Sequence, residues 1–208
     1  FTDIIRNWHK EKGSLKYTLV YVPEGNVPDY IANSDDFDNI SETDEDVDAA
    51  HLINLYTKAV IEVDKRVTVR KFTSELRDRD EVLNDFAVGN LDVLTSMKCL
   101  DEGVDVPRSE LAIFCSSTGN PRQFIQRRGR VLRMHPDKKI AVLHDLVVIP
   151  AISPSKNSYK MERALLKGEL LRVNNFAMLS ENPSYSEVEL RDAMEHYGLN
   201  LYNNDYIL

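Results

Sequence analysis

The side chains best suited to chemistry in this sequence are four arginines within seven residues. They are Arg127, Arg128, Arg130 and Arg133. Asn120 is a favourable N-cap and Pro121 suits the first helical position, so we predict a helix from there to about Leu132. A guanidinium group stays charged and can donate two parallel hydrogen bonds to one phosphate, so this helix would suit a polyphosphate. The alternative is a solvated basic helix surface.

At about 100° per residue, the predicted helix has two faces. The apolar face contains Phe124, Ile125, Val131 and Leu132. The polar face contains Gln123, Gln126, Arg130 and Arg133, with Arg127 at its flank. Arg128 falls on the apolar face, where we expect a structural role through its aliphatic stem or an ion pair. Gly129 has no side chain and lets another surface approach the helix backbone.

The elements that must position this helix alternate between strands and helices. Five segments have the β-branched, apolar composition of strands, namely 15–23, 67–72, 91–96, 110–116 and 139–148. Helical periodicity is present at 1–12, 48–63 and 77–90. This alternation predicts an α/β fold, a parallel sheet with helices on both faces. Ligands bind beyond the carboxyl ends of such strands, where segments 73–75, 96–107 and 116–133 lie.

Length and composition suggest one sheet domain over residues 1–150 and a helical C-terminal extension over 151–208. The extension has helical periodicity from about residue 159 to 179 and again from 184 to 197. No apolar run is long enough to span a bilayer, and neither a signal peptide nor a zinc-ligand pattern is present. We therefore predict a cytoplasmic protein with no membrane contact and no metal site. Cys99 and Cys115 are expected to be buried, reduced thiols.

The net charge of −8 hides a strong asymmetry. Residues 24–48 contain ten acidic and no basic side chains, whereas residues 121–139 contain five Arg, two Lys and one acid. The local potential can therefore favour an anion on an acidic protein. We predict that segment 24–48 is a solvated surface loop; the alternative is a mimic of nucleic-acid charge that occupies the basic site.

Two segments together indicate a family. They are LDEGVDVP at 100–107 and QFIQRRGRVLR at 123–133, with TSE at 73–75 upstream. In this order they resemble the C-terminal RecA-like lobe of superfamily 2 helicases, most closely DEAD/DEAH-box proteins of the restriction or repair type. The resemblance implies a RecA-like fold and ATP hydrolysis between two lobes. It also implies that a first, N-terminal RecA-like lobe supplies the phosphate loop and the Mg²⁺ ligands. No GxxxxGK[ST] phosphate loop is present here, so we expect a fragment of a longer protein.

By motif position, the resemblance assigns roles in the ATP site. Arg130 and Arg133 would contact the γ-phosphate, and Gln126 would contact the nucleotide site. Arg127 would brace an acidic motif of the first lobe. In the other segment, Gly103 would let the backbone approach closely. Asp105 would hold the ribose or orient the arginine helix, and could also be an ordinary turn residue. Glu102 would order the same turn or contact the partner lobe, and could be only a surface charge.

The resemblance also implies a nucleic-acid path across both lobes. Its contacts would be Thr73, Ser74, the loop near Ser96, Ser116, Ser117 and Asn120. Hydroxyl and backbone N–H groups that hold phosphates read no sequence, which suits a translocating motor. Many relatives have Ala-Thr-Asp where this chain has Ser96, Met97 and Lys98. Lys98 would replace the lost threonine contact with an ion pair, or would point to solvent.

The sequence therefore predicts the second motor lobe of an ATP-dependent helicase or translocase, with DNA favoured over RNA. A non-catalytic helicase-like scaffold in a restriction or repair complex is one alternative. An unrelated phosphate-binding α/β enzyme is another.

Overall fold

The structure is a computed structural model, and most of the chain is described in it. The described residues are 1–23, 42–97, 106–115, 121–152 and 158–202, without the side chains of 42–50, 121 and 122. The chain divides into two compact units. The first comprises Phe1–Ser116 and Ile125–Leu146, and the second comprises Ser117–Phe124 and Val147–Leu208. The predicted division near residue 150 stays a prediction.

The first unit contains a parallel sheet of five short strands. They are β1 (Thr18–Tyr21), β2 (Val69–Phe72), β3 (Val93–Ser96), β4 (Leu111–Phe114) and β5 (Val142–Asp145). Their order across the sheet is β2-β3-β1-β4-β5, and every neighbouring pair is parallel. The three central strands are buried along their whole length, as apolar segments covered on both faces should be. The predicted RecA-like α/β fold is confirmed.

Six helices are assigned in the described part of the chain. They are α1 (Thr2–Lys12), α2 (Glu42–Val63), α3 (Arg79–Val88), α4 (Pro121–Val131), α5 (Tyr159–Ala177) and α6 (Pro183–Tyr197). The start predicted for α2, at Asp48, is wrong by six residues. The extra turns are rich in Asp and Glu, which stabilise a helix N-terminus through its dipole. Part of the predicted acidic loop is therefore helical, and its residues 24–41 lie outside the described residues.

Helices α1 and α2 cover one face of the sheet. Their buried Ile5, Ile53 and Val60 pack with Val20 of β1 and Ile113 of β4. The partly buried Trp8 packs against the same core.

The helix predicted over 77–90 is α3, and its C-cap is Gly89. This residue has φ 79°, which favours glycine, and its backbone N–H bonds back to the last turn. A Cβ atom here would lie 2.6 Å from the Tyr17 hydroxyl, so a side chain is also excluded by space. The Lys16 ammonium donates to the Gly89 carbonyl at 2.8 Å and stabilises the helix end.

The second unit is a helical hairpin, as predicted for the C-terminal extension. Its core lies between α5 and α6 and contains Leu166, Leu170, Val173, Leu190, Met194 and Tyr197. A buried ion pair joins Arg172 to Glu169 at 2.8 Å, and Glu169 also accepts the backbone N–H of Val148. These bonds satisfy charges that would be costly to bury alone.

Candidate nucleotide site on the arginine helix

The last residues of the five strands form one continuous row at the carboxyl edge of the sheet. In spatial order this terminal row is Phe72, Ser96, Tyr21, Phe114 and Asp145. Its middle is aromatic: the rings of Tyr21 and Phe114 stack with centroids 4.8 Å apart and planes 4° from parallel. Both residues are buried, so their stacked rings form an apolar floor in the middle of the row, at the edge where ligands bind in such sheets.

Arg127 lies on this floor. Its guanidinium carbon is 5.5 Å from the centroid of the Tyr21 ring, a cation–π distance, and the residue is only 2% exposed. Helical spacing predicts Arg127 at the flank of the polar face, and no motif in the sequence points to Tyr21 or Phe114. Aromatic residues at the ends of two buried strands were the available signal. A bracing role toward another lobe stays a prediction for Arg127.

The buried face of α4 differs from the predicted one. Phe124 and Val131 are buried as predicted, but Ile125 is 37% exposed and Leu132 46% exposed. The buried stripe is Phe124, Arg127, Arg128 and Val131, the i, i+3, i+4, i+7 spacing of a helix face. It is rotated by about 50° from the predicted face.

Arg128 lies in this stripe with 9% exposure, which fits the predicted structural role. Burial lowers its pKa below the ordinary value, because the charged form loses hydration. Arg127 and Arg128 are thus both buried, so fewer polar side chains of α4 face the solvent than the sequence alone suggests.

The polar side chains that remain accessible include the predicted nucleotide contacts. Gln126 and Arg133 are exposed and Arg130 is half-buried. Arg133 follows the end of α4 by two residues, and its N–H lies 3.4 Å from the Arg130 carbonyl. Gln126 and Arg130 lie on one side of α4, and Arg133 extends from the backbone just beyond the helix. Their contact with a nucleotide stays a prediction.

Of the predicted nucleic-acid contacts, three can be placed. Thr73 and Ser74 follow β2 directly in a turn closed by the Leu76 N–H and the Thr73 carbonyl, 3.3 Å apart, and Ser74 is exposed. Ser96 is fully buried, with its hydroxyl 3.5 Å from the Met97 carbonyl. The remaining predicted site residues lie outside the described residues. They are Lys98, Glu102, Gly103, Asp105, Ser116, Ser117 and Asn120.

A turn just after α4 holds the end of that helix. Pro136 suits the second position of the turn, which is closed by the Lys138 N–H and the His135 carbonyl at 3.0 Å. The Lys138 ammonium donates to the carbonyl of Val131, 2.8 Å away, and to the carbonyl of Pro107, 2.6 Å away. Sequence reasoning missed Lys138, since nothing in the sequence separates it from the exposed Lys139.

An ion pair fixes this turn from the other side. Arg108 contacts Asp137 at 2.7 Å, and its guanidinium carbon lies 4.4 Å from the centroid of the Tyr17 ring. The Arg108 side chain is 16% exposed and the Asp137 side chain is 70% exposed, so only the Arg108 end of the pair is shielded from solvent. The turn is therefore bonded to the segments before β1 and β4 as well as to α4.

Comparison with known proteins gives a family match over part of the chain. Residues 40–135 match the helicase conserved C-terminal domain, a range that extends from before α2 to beyond α4. The predicted resemblance to the C-terminal RecA-like lobe of superfamily 2 helicases is confirmed. The matched range includes β2, β3 and β4 and all of the described arginine helix.

Curated relatives carry helicase and translocase names. The DNA 3'-5' translocase XPB2 of Sulfurisphaera tokodaii is 33% identical over 97 residues, which is 47% of this chain and 20% of that protein. The ATP-dependent DNA helicase MPH1 of Scheffersomyces stipitis is 26% identical over 112 residues, 53% of this chain and 11% of that protein. This chain thus spans a fifth or less of the length of these relatives.

Among solved structures, domain 2 of the DEAD-box helicase Mss116p bound to an RNA duplex is similar, with a TM-score of 0.48 and 13% identity. The match covers 96% of this chain and 74% of that one. Within the described ranges, no helix is long and apolar enough to cross a membrane. Likewise, no cluster of three or more His, Cys, Asp or Glu side chains suited to a metal ion is found among the described residues.

Proposed function

We propose that this chain is the second motor lobe of an ATP-dependent helicase or translocase. In this proposal Arg130 and Arg133 contact the γ-phosphate of an ATP molecule bound with Mg²⁺ by the N-terminal lobe of the same protein. Gln126 orders the nucleotide site. The cytoplasmic location stays a prediction from the sequence.

One observation carries the proposal. Helix α4 buries Arg127 and Arg128 but leaves Gln126 and Arg133 exposed and Arg130 half-buried. A solvated basic surface would not bury two adjacent arginines, because dehydrating a guanidinium is costly without compensating contacts. Burial of the first two anchors the helix. Gln126 and Arg130 are thereby held on one side of it with a fixed orientation, and Arg133 extends just beyond its end.

The chemistry of such a site is mainly electrostatic. ATP hydrolysis places charge on the γ-phosphoryl oxygens as the bond to the leaving group breaks. A preorganised guanidinium stabilises this charge, and such an arginine is worth about 10³ to 10⁵ in rate in other phosphate-cleaving enzymes. Because the phosphate loop and metal carboxylates are expected on the N-terminal lobe, this chain alone should hydrolyse no ATP.

The nucleic acid of this motor is proposed to be DNA. Support comes from the relatives, which are named DNA translocase and DNA helicase. Thr73 and Ser74 lie just beyond β2, where their hydroxyl and N–H groups would meet a sugar-phosphate backbone. Such contacts would hold the strand without reading its sequence.

The test uses the full-length protein and measures DNA-stimulated ATP turnover. Arg130→Ala and Arg133→Ala should each lower kcat by about 10² or more, because the charge developing on phosphate loses its partner. Arg191→Ala, on the exposed side of α6, is the matched control and should stay within about twofold of wild type, since surface substitutions usually change little.

Thermal denaturation separates a loss of catalysis from a loss of folding. Arg133 is exposed, so the free energy of unfolding of its variant should match that of the wild type to within about 0.5 kcal/mol. Near-normal turnover in both the Arg130 and Arg133 variants would refute the motor assignment and favour a non-catalytic scaffold.

A further inference from the structure

We infer that Lys138 is a positioning residue for α4, the helix that carries the arginines, and that it acts by bonding the end of this helix to Pro107, just before β4. The inference rests on the proposed function, because it concerns the groups assigned to the γ-phosphate. Nothing in the geometry requires Lys138 itself to contact a nucleotide.

The Lys138 ammonium can donate up to three hydrogen bonds, because a lysine Nζ has three N–H donors. In this structure two of its acceptors are main-chain carbonyls from separate parts of the chain, Pro107 and Val131. Pro107 ends the segment 100–107, and Val131 is the last residue of α4. One cation therefore joins the two segments that carry the predicted nucleotide contacts.

The last carbonyls of any helix lack intrahelical donors and carry partial negative charge. Val131 is fully buried, so water is a poor substitute for the missing donor. Lys138 supplies that donor one residue beyond Arg130 and two before Arg133. Its loss would free the turn from which both arginines extend.

Lys138 is itself held in place. The turn 135–138 is closed by its own backbone bond and is fastened by the Arg108–Asp137 ion pair at 2.7 Å. Arg108 precedes β4 and lies over the Tyr17 ring just before β1. These contacts fix the position of the end of α4 relative to two central strands, β1 and β4. Positional errors near 1 Å at a reacting centre can cost about 10²-fold in rate.

The chain offers a matched control for this role. Lys16 also caps a helix end, donating at 2.8 Å to the Gly89 carbonyl after α3. Helix α3 carries none of the predicted ATP-site residues. Lys16→Met therefore removes the same kind of bond at an unrelated place, and Lys139→Met tests the loss of an exposed neighbouring charge.

The experiment measures kcat and KM for ATP in the full-length protein, well below the melting temperature of each variant. Lys138→Met should lower kcat by about tenfold or more while KM changes by less than about twofold, because transition-state contacts are misplaced. Lys138→Arg keeps the donors and should recover most of the loss. Lys16→Met and Lys139→Met should stay within about twofold of wild type.

A double variant supplies the readout that a merely structural role would not change. In an Arg130→Ala background, the factor lost through Lys138→Met should fall to about threefold or less, since residues that act as a unit are not additive. An equal factor in both backgrounds would overturn the inference, because general destabilisation does not depend on Arg130. If the Met variant is not recovered folded, Lys138→Gln carries the same two measurements.

The remaining outcomes distinguish failure of the Lys138 positioning role from failure of the proposed function. If Arg130→Ala abolishes turnover but Lys138→Met behaves like Lys16→Met, the positioning role is wrong and the proposed function stands. If Arg130→Ala and Arg133→Ala both turn over ATP normally, the proposed function fails and this inference fails with it.

Discussion

The stack of Arg127 on Tyr21 makes a quantitative prediction about stability. Tyr21→Phe keeps the ring, so both the stack on Phe114 and the cation–π contact survive. Tyr21→Leu removes both. A stacked aromatic pair is worth about 0.5–1.5 kcal/mol. A desolvated cation–π contact is worth about 2 kcal/mol, and Arg127 is desolvated at 2% exposure. The Leu variant should therefore be less stable than the Phe variant by about 2.5–3.5 kcal/mol.

The assay is urea denaturation of the 208-residue chain, followed by far-ultraviolet circular dichroism. The comparison is then repeated in an Arg127→Met background, where only the stacking difference of about 1 kcal/mol should remain. A Leu variant that matches the Phe variant to within about 0.5 kcal/mol would refute the reasoning, since it would mean that neither ring contact stabilises the fold. An unchanged difference in the Arg127→Met background would refute the cation–π contribution alone.

Two further predictions concern partly buried titratable groups. Burial raises the pKa of the Cys115 thiol to about 12, so at pH 8 only about one molecule in 10⁴ is a thiolate. In a Cys99→Ser variant, Cys115 should react with a disulfide reagent at least about 100-fold more slowly than a peptide thiol, and fast labelling would contradict its burial. Burial lowers the pKa of His144, so the unfolded chain takes up a proton below pH of about 6.5 while the fold does not. Stability should fall as the pH drops through that value, with a slope of at most about 1.4 kcal/mol per pH unit. His144→Gln should reduce the slope and the exposed control His51→Gln should not; equal slopes in the two variants would contradict the assignment.

The fold was predictable from the sequence because its signals are strong and local. Apolar β-branched segments bounded by Gly, Pro and polar residues identified all five strands. The errors lie at element ends. The strand predicted over 15–23 has only four ladder residues, and Tyr17 before it has a positive φ of 61°. Such a local conformation depends on neighbours that the sequence does not identify.

The site was only partly predictable, for two physical reasons. Hydropathy assigns arginine to the surface, so Arg127 was predicted at the flank of the polar face and Ile125 and Leu132 on the buried one, whereas the structure shows the reverse. Arg128 was predicted on the apolar face and is buried there. Lys138 was invisible for another reason. Its acceptors are backbone carbonyls, which every residue has, so no pattern of side chains marks them.

The strand order has a consequence for how the chain is made. The first strand of this sheet to leave the ribosome, β1, is the central one, and its partners β3 and β4 begin at Val93 and Leu111. Four consecutive residues that end up fully buried must therefore wait until most of the first unit has been synthesised. Synthesis proceeds at about 5–20 residues per second, so this apolar segment stays unpaired for several seconds. During this interval the nascent chain is most open to aggregation and to chaperone binding. Substitutions that slow the formation of α2 or β3 would therefore lower the yield of folded protein without first lowering its final stability.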